Sequence, residues 1–285
     1  MADSTAGVGI STGPERQDFD NPWKEALHEY FPSFLEFFFP AIHADIDWSR
    51  GYRFLDAELR QLALRARTGR RLPDALVEEL RHGKLRFFGL TIPKEYGGEG
   101  WAAGKWLPVL EEIARGYAMC RMIAHTMNGL FWRPLYDHGT EEQRRKYLPK
   151  LATGEIWAAN ALTEPEGGTG RDINATTTKD GEYYILSGHK WLITQFPEYT
   201  KLFYCFAATE EGMTCFLVDA PDEGLVLEPM KRMMGCRGPR HYNVYYRDLR
   251  VHESQILGEK GRGLDIALGM LHLSRVSIAY CGVGT

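Results

Sequence analysis

Two stretches of sequence decide the fold, TEPEGGTGRD at residues 163–172 and SGHKWLIT at residues 187–194. In the first, a Thr-Glu-Pro turn leads into glycines, whose wide range of φ angles and missing Cβ let backbone N–H groups close on an oxygen-rich ligand. The second predicts a strand, a turn at Gly188 and a returning apolar strand from Lys190 to Thr194. In this order and at this spacing, the two stretches indicate a β-rich domain that holds a phosphate or a flavin.

Helical patterns precede these two stretches. The first predicted helix has an apolar face made of Trp106, Leu110, Ile113 and Tyr117, which recur at helical spacing. A second helix is predicted to begin with a capping box at Thr140 and Gln143, and Pro149 and Gly154 are expected to bring it to a close. These patterns predict a helical region before the β-rich domain.

Short β-rich runs surround the two stretches, and helical spacing returns after them. The runs LFYCFAA, MTCFLVDA and YNVYYRDL, separated by Gly, Asp and Pro, predict a small antiparallel barrel or sandwich. The last predicted helix has its apolar positions at Leu264, Leu268, Leu271 and Ile278. We therefore expect an α+β fold, with an amino-terminal helical domain, a small antiparallel β-barrel or sandwich as the middle domain, and the first helix of an incomplete carboxy-terminal helical domain.

The same patterns set the expected domain boundaries. Residues 1–19 are rich in Gly, Ser, Thr and Asp, which is typical of a disordered tail. We expect the helical region at residues 20–155 and the β-rich domain at residues 156–256. The start of the last helical domain is expected at residues 257–285.

Composition narrows the class of protein. The 285 residues carry a formal net charge of -4, and their basic residues are spread out, so we expect no nucleic-acid partner. The five cysteines are odd in number and form no CxxC pair, so neither a disulfide framework nor a metal site is indicated. We see no leader-like segment and no apolar run long enough for a bilayer, and we therefore expect a cytoplasmic protein without a membrane partner.

Together, the two opening stretches resemble the flavin-binding middle domain of the acyl-CoA dehydrogenase family. The resemblance extends to LTIPKEYGGEG at residues 90–100 and to HGTEEQRRKYLPKLATGE at residues 138–155. It continues through MGCRG at residues 234–238 and ILGEKGRG at residues 256–263, and covers roughly residues 83–285. The resemblance implies a bound FAD, an acyl-CoA thioester as substrate and α,β-dehydrogenation of that thioester.

Candidate site residues follow from this resemblance, position by position. The positions that match the family's two flavin-contacting stretches are Asn160, Leu162, Thr163, Gly168, Thr169, Leu192, Ile193 and Thr194. Thr169 is also expected near the substrate, and Arg275 matches an arginine that lies near the bound CoA ester. In the second stretch the family commonly has an aromatic residue first, whereas Trp191 stands one residue early here.

The resemblance does not identify a catalytic base in this chain. The reaction needs a glutamate that removes the α proton, in a site that stabilises the developing enolate charge and excludes water. Ser274 stands where some members place that glutamate, and other members carry it further along the chain than Thr285. We therefore expect the chain to be catalytically incomplete alone, with a homo-oligomer or a second chain supplying further helices. The sequence does not identify the electron acceptor.

The beginning of the chain resembles a different family. NPWKEALHEYFPSFLEFFFP and IDWSRGYRFLDAE, within residues 21–58, look like the amino terminus of bacterial recombination-promoting nuclease and transposase proteins. We therefore expect residues 20–72 to be foreign to the dehydrogenase-like part. The acidic residues of this segment are Asp45, Asp47, Asp56 and Glu58. We interpret them as remnants without a metal site, because the strands that would complete such a site are not visible.

Two other functions are compatible with the same architecture. An acyl-CoA oxidase-like flavoenzyme or a flavin monooxygenase would share it, and oxygen consumption with peroxide release would identify an oxidase. A non-catalytic module would bind flavin or CoA without turnover. Nuclease activity is not expected.

Overall fold

The computed structural model describes residues 87–115, 118–167, 172–231 and 240–284, with a few positions between 32 and 50. The chain divides into two compact units, Met1–Ala57 and Glu58–Thr285. In the first unit, Trp48–Arg50 form a 3-10 helix, and the indole N–H of Trp48 donates to the carbonyl of His43 at 3.1 Å. The predicted tail, the acidic residues of the nuclease-like segment and Tyr117 lie outside the described residues.

In the described part of the second unit, four α-helices precede the strands. They are α1 (Ala103–Ala114), α2 (Ala118–His125), α3 (Trp132–His138) and α4 (Glu141–Thr153), and a π-helical segment at Thr126–Leu130 joins α2 to α3. The predicted apolar face of α1 is confirmed for Trp106, Leu110 and Ile113, which are all buried. Burial of this face holds α1 against its neighbours, because removing apolar surface from water is favourable.

Helix α4 begins and ends largely where the sequence predicts. The Thr140 Oγ1 accepts from the backbone N–H of Gln143 at 3.2 Å, and the Gln143 Oε1 accepts from the backbone N–H of Thr140 at 3.0 Å. Gly154 closes the helix with a φ of 70°, which glycine adopts without strain. The prediction that Pro149 helps to end α4 is wrong. Pro149 lies inside the helix among buried leucines, whose packing outweighs the missing backbone hydrogen bond.

Eight strands of the described part form one mostly antiparallel sheet. They are β1 (Trp157–Ala161), β2 (Thr176–Asp180), β3 (Tyr183–Gln195), β4 (Thr200–Thr209), β5 (Gly212–Asp219), β6 (Leu225–Pro229), β7 (Arg240–His252) and β8 (Ile256–Leu257). Their order is β6-β7-β3-β2-β4-β5-β8, and β1 pairs with β4 in parallel. Helices followed by a mainly antiparallel sheet confirm the α+β expectation, whereas closure into a barrel stays a prediction.

Strand β4 is buried on both faces. Leu202, Tyr204 and Phe206 belong to a core that the sheet shares with the helices. Phe203 and the residues two and four positions after it in β4 belong to a second core, which the strands form alone. Because successive side chains of a strand point to opposite faces, this one strand contributes to both cores. The hydroxyl of Tyr204 also donates to the backbone carbonyl of Phe131, which ties the sheet to the helical region.

Strand β3 runs without a break through the second opening stretch. Gly188 lies inside it and pairs with Tyr246 of β7, so the predicted turn at Gly188 is wrong. The physical reason for a glycine here is close packing, since a Cβ on Gly188 would lie 2.5 Å from the Cβ of Ala175. Gly188 therefore marks the place where the segment before β2 crosses the strand.

Helix α5 (Gly263–Gly284) follows the sheet and packs mainly against α1. Ile266, Met270 and Ser274 are on its buried side, whereas Leu268 and Ile278, both predicted as apolar face positions, are exposed. By length and composition α5 could cross a membrane, a criterion that the core helix of a soluble protein also meets. The contact with α1 shows that part of α5 belongs to the helical core.

Candidate ligand site

A cavity of about 370 Å³ lies where the helices meet the sheet. The strand residues along its wall include Trp157, Asn160, Leu192, Thr194 and Gln195. The helix residues along its wall include Arg121, His125, Thr126, Ile278 and Cys281. The volume falls within the range of roughly 300–1,000 Å³ that is usual for small-molecule sites. The cavity therefore has room for a ligand between β1, the end of β3, α2 and α5.

Polar atoms around this cavity lack hydrogen-bond partners. Seven buried side-chain nitrogen or oxygen atoms of the described residues have no partner, and five of them belong to residues that line the cavity. The five are Nδ1 of His125, Nε1 of Trp157, Oδ1 of Asn160, and Oε1 and Nε2 of Gln195. Because buried polar atoms are nearly always paired in native proteins, their concentration here indicates a ligand with polar groups.

Several residues of the predicted site meet at this cavity. Asn160, Leu192 and Thr194 line it. Leu162 and Thr163 follow β1 directly, and the carbonyl of Thr163 accepts from the backbone N–H of Trp191 in β3 at 2.8 Å. The two opening stretches of sequence are thus hydrogen-bonded to each other next to the cavity.

Other predicted residues are not brought to the cavity wall. The side chain of Ile193 is buried in the core formed by the strands, so only its backbone is available to a ligand. Arg275 is exposed on α5 and is not among the residues that line the cavity. Gly168 and Thr169 lie outside the described residues, and their roles stay predictions.

Strand β3 has a β-bulge at Trp191 and Leu192. Two residues of β3, Trp191 and Leu192, face the single residue Asn243 of β7. Leu192 has a φ of 58°, a left-handed conformation that a branched side chain rarely adopts. Bulges re-aim side chains, and here Leu192 lines the cavity whereas Trp191 is 36% exposed.

A buried ion pair fixes the two opening stretches against each other. The Nζ of Lys190 lies 2.7 Å from the Oε1 of Glu164, and their side chains are 0% and 3% exposed. The same carboxylate accepts from the backbone N–H groups of Asn174 and Ala175 at 2.6 and 2.9 Å. Burial alone would raise the pKa of Glu164, but the ammonium of Lys190 and these two N–H groups hold it below its usual value.

His125 connects two helices at the cavity. Its Nε2 lies 3.3 Å from the Oγ of Ser274 in α5, and both residues are buried. Burial, together with the nearby positive charge of Arg121, lowers the pKa of His125 to about 4, so the imidazole is uncharged at neutral pH. Ser274, the position that the family resemblance associates with a glutamate in some members, is therefore a hydroxyl held by a neutral histidine.

The unpaired donors and acceptors of the cavity wall fit the isoalloxazine ring of a flavin. This ring is flat and largely apolar, and one of its edges alternates carbonyl acceptors with an N–H donor. Gln195 offers both a donor and an acceptor, Trp157 offers a donor and Asn160 offers an acceptor. Leu192 and Phe196 add apolar surface to the same wall. These residues could hold the ring with neutral hydrogen-bonding groups.

Sequence reasoning missed several of these residues. Gln195 directly follows the predicted stretch, so its position was a usable signal. His125 gave no signal, because Ser274 is 149 residues away along the chain. Glu164 and Lys190 both lie inside the quoted stretches, and a lysine between residues expected to be buried was the signal for a buried partner.

Comparison with known proteins identifies one family. The family model of the acyl-CoA dehydrogenase N-terminal domain matches residues 51–155, and the model of the acyl-CoA dehydrogenase middle domain matches residues 159–249. The first match includes residues 51–72 of the segment expected to be foreign, so this part resembles the dehydrogenase family. The nuclease-like interpretation of residues 21–50 stays a prediction.

Two curated relatives match most of this chain. The chain is 32% identical over 237 residues to the 3-(aryl)acrylate reductase of Clostridium sporogenes, covering 81% of this chain and 62% of the relative. It is 31% identical over 237 residues to the mitochondrial short-chain specific acyl-CoA dehydrogenase of Bos taurus, covering 81% of this chain and 57% of the relative. The chain thus spans about three fifths of the length of these curated relatives.

Solved structures show the same architecture. The acyl-CoA dehydrogenase of Bacillus anthracis, determined in complex with FAD, superposes with a TM-score of 0.69 and 27% sequence identity. That superposition covers 94% of this chain and 42% of the other. With both family models matching in the expected order, the chain carries the amino-terminal and middle domains of the acyl-CoA dehydrogenase family and belongs to that family.

Proposed function

We propose that this chain forms the flavin-binding part of an FAD-dependent acyl-CoA dehydrogenase, which introduces an α,β double bond into an acyl-CoA thioester. The observation that carries the proposal is the group of five unpaired buried polar atoms around one cavity. In this proposal the sheet is the barrel- or sandwich-like middle domain of residues 156–256, flanked by the helical regions of residues 20–155 and 257–285. The cytoplasmic location belongs to the same proposal.

The residues along the strand wall would hold the flavin ring. Gln195, Trp157 and Asn160 would supply the hydrogen bonds to its polar edge, and the bulge at Leu192 would place an apolar surface beside it. When bound, FAD supplies the hydride acceptor for the β hydrogen. The buried aromatic residues Phe131 and Trp157 would exclude water from this wall, which strengthens the hydrogen bonds there.

The proposal assigns no residue to the removal of the α proton. No Asp or Glu of the described residues lines the cavity. The hydroxyl of Ser274 is held by His125, and burial keeps that histidine uncharged at neutral pH. Both groups are better suited to orienting a bound thioester than to removing a weakly acidic α proton.

Titration with FAD tests the proposal directly. We expect the purified full chain to bind FAD, with quenched flavin fluorescence and a perturbed flavin absorption band. A well-folded protein that leaves the flavin spectrum unchanged would contradict the proposal. Acyl-CoA-dependent reduction of an artificial acceptor then measures turnover. Peroxide release would indicate the oxidase-like alternative, and FAD binding without turnover would indicate the non-catalytic module.

A matched pair of glutamine variants separates ligand binding from stability. Gln195 and Gln143 are both buried, but the Gln143 amide is hydrogen-bonded to the backbone of Ser254, Ile256 and Thr140. We expect Gln195→Leu to weaken FAD binding by roughly tenfold or more and to leave the ligand-free protein as stable as before, because the removed amide has no partner. We expect Gln143→Leu to cost about 1–3 kcal/mol of stability and to keep the FAD affinity. Equal effects of both variants on FAD would contradict the site.

A further inference from the structure

The charge of the cavity is carried by one side chain. Among the described residues that line it, Arg121 alone has a formal charge at neutral pH, since no Asp, Glu or Lys is present and His125 is uncharged. Arg121 is half-buried on α2. Among the described residues of the cavity wall, this positive charge therefore faces no negative charge.

Two side chains of the cavity wall lie beside this charge. The thiol of Cys281 on α5 is next to Arg121, and the positive charge of Arg121 disfavours protonation of the His125 imidazole. All three side chains line the cavity and come from helices. The residues proposed to hold the flavin ring come from β1 and β3, so the positive charge is on a different wall.

An alkyl chain is a poor ligand for this wall. Packing methylene groups against Arg121 would remove water from a cation without giving it an anionic partner, which costs free energy. A carboxylate would instead form charge-assisted hydrogen bonds with the planar guanidinium, and two parallel bonds are possible. The hydroxyl of Thr126 already donates to the carbonyl of Met122 in α2, whereas neutral His125 has an N–H that can donate to the carboxylate.

Resting on the proposed function, we infer that the cavity takes acyl-CoA thioesters whose acyl group carries a second carboxylate, and that Arg121 binds this carboxylate. The substrate class is therefore the monothioesters of dicarboxylic acids. Discrimination against simple fatty acyl groups arises because a methyl terminus leaves the guanidinium desolvated and unpaired.

Thioester pairs that differ only in the terminal group test this inference. The FAD-loaded full chain is titrated with succinyl-, glutaryl- and adipyl-CoA, and separately with butanoyl-, pentanoyl- and hexanoyl-CoA, while the flavin absorption band is followed. We expect at least one dicarboxylyl thioester to bind roughly tenfold more tightly than its methyl-terminated partner. We expect Arg121→Met and Arg121→Gln to abolish this difference, and Arg121→Lys to keep part of it.

Arg133→Met is the matched control, because Arg133 is exposed on α3, pairs with Asp137 and does not line the cavity. It should leave the discrimination unchanged. Equal binding of both thioester series by the unaltered FAD-loaded chain would overturn the inference and leave the proposed function intact. If Arg121→Met weakens FAD binding and leaves the discrimination unchanged, the anion is the cofactor's phosphate, and the inference is also overturned. Failure of FAD binding itself would instead contradict the proposed function.

Discussion

At the scale of single residues, the buried ion pair between Glu164 and Lys190 stabilises the segments that border the site. Their contact links the loop after β1 to the middle of β3, and the Glu164 carboxylate also fixes the backbone before β2. A buried charge that loses its partner is strongly destabilising, whereas a neutral replacement of both partners is often tolerated. The effect of Glu164 on stability therefore depends on the presence of Lys190, and the reverse also holds.

We expect Lys190→Met to destabilise the protein by about 3–5 kcal/mol, because it leaves the Glu164 carboxylate buried without a counter-ion. Glu164→Gln combined with Lys190→Met should recover much of this loss, since a glutamine carbonyl still accepts from a backbone N–H. Urea denaturation of both singles and the double measures the coupling. Additive effects in this cycle would show that the two side chains do not act as a pair.

The pH dependence of this pair has a defined sign. Because the folded-state pKa of Glu164 is held below its ordinary value, the pair contributes stability that is present above the ordinary pKa. That contribution is lost as the pH falls through the lower folded-state pKa, where the carboxylate becomes protonated. Acid denaturation of the Glu164→Gln variant should lack this component.

His125 gives a second pH dependence at higher pH. Its folded-state pKa of about 4 is below the ordinary value of 6.5, so only the unfolded chain takes up a proton between these values. Stability should therefore fall as the pH is lowered from about 6.5 towards 4, by about 2 kcal/mol at pH 5. We expect His125→Gln to remove this slope and the exposed-site variant His272→Gln to keep it, as measured by urea denaturation at several pH values. An unchanged slope in His125→Gln would contradict the assignment.

Part of the candidate site was expected from the sequence and part was not. Asn160, Leu192 and Thr194 were expected from the resemblance to the family, and the structure places all three at the cavity. Arg121 and His125 lie on α2, and this helix is placed at the cavity by its packing against α1 and α5. No local sequence pattern predicts this packing. Their positions depend on contacts between distant parts of the chain.

At the scale of elements, Gly188 allows β3 to pack closely against the segment before β2. We expect Gly188→Ala to cost about 1–3 kcal/mol, because the added Cβ would lie 2.5 Å from the Cβ of Ala175 and the neighbouring atoms would have to move. This movement would also disturb the backbone N–H groups that Glu164 accepts from. Thermal unfolding measures the loss.

Gly104→Ala serves as the comparison for this variant. Gly104 lies in α1, and an added Cβ there has no neighbour within 4 Å. We expect this substitution to be neutral or slightly stabilising, since alanine favours helices over glycine. A Gly188→Ala protein as stable as Gly104→Ala would show that β3 and the crossing segment are not tightly packed.

The sequence predicted the elements better than their irregularities. The capping box of α4 and the apolar face of α1 depend on neighbouring residues, and both are present. The turn predicted at Gly188 was wrong because a glycine required for close packing looks the same in sequence as a glycine required for a turn. The sequence did not predict the bulge at Leu192, because a bulge depends on how β3 pairs with β7, and that pairing is not visible in the sequence of β3 alone.

At the scale of the whole molecule, the exposed apolar residues of α5 favour association. Val276, Ile278 and Val283 are 46%, 55% and 71% exposed. Exposed apolar residues grouped on one element commonly mark an interface. We expect the protein to associate as its concentration rises, which sedimentation velocity measures, and Val276→Lys with Val283→Lys to reduce this association. The exposed substitution Arg133→Ala on α3 should leave it unchanged, and a monomer at all concentrations would contradict the prediction.

The double burial of β4 has a consequence for how the described part of residues 87–284 comes apart. Since this strand supplies side chains to both cores, neither core can open without exposing apolar surface of the other. Melting should then be cooperative across helices and sheet, and the amide protons of β4 should be among the slowest to exchange with deuterium. A molecule bound between β1 and α2 would slow exchange in strands that it never touches, because it stabilises the one unit that both cores share.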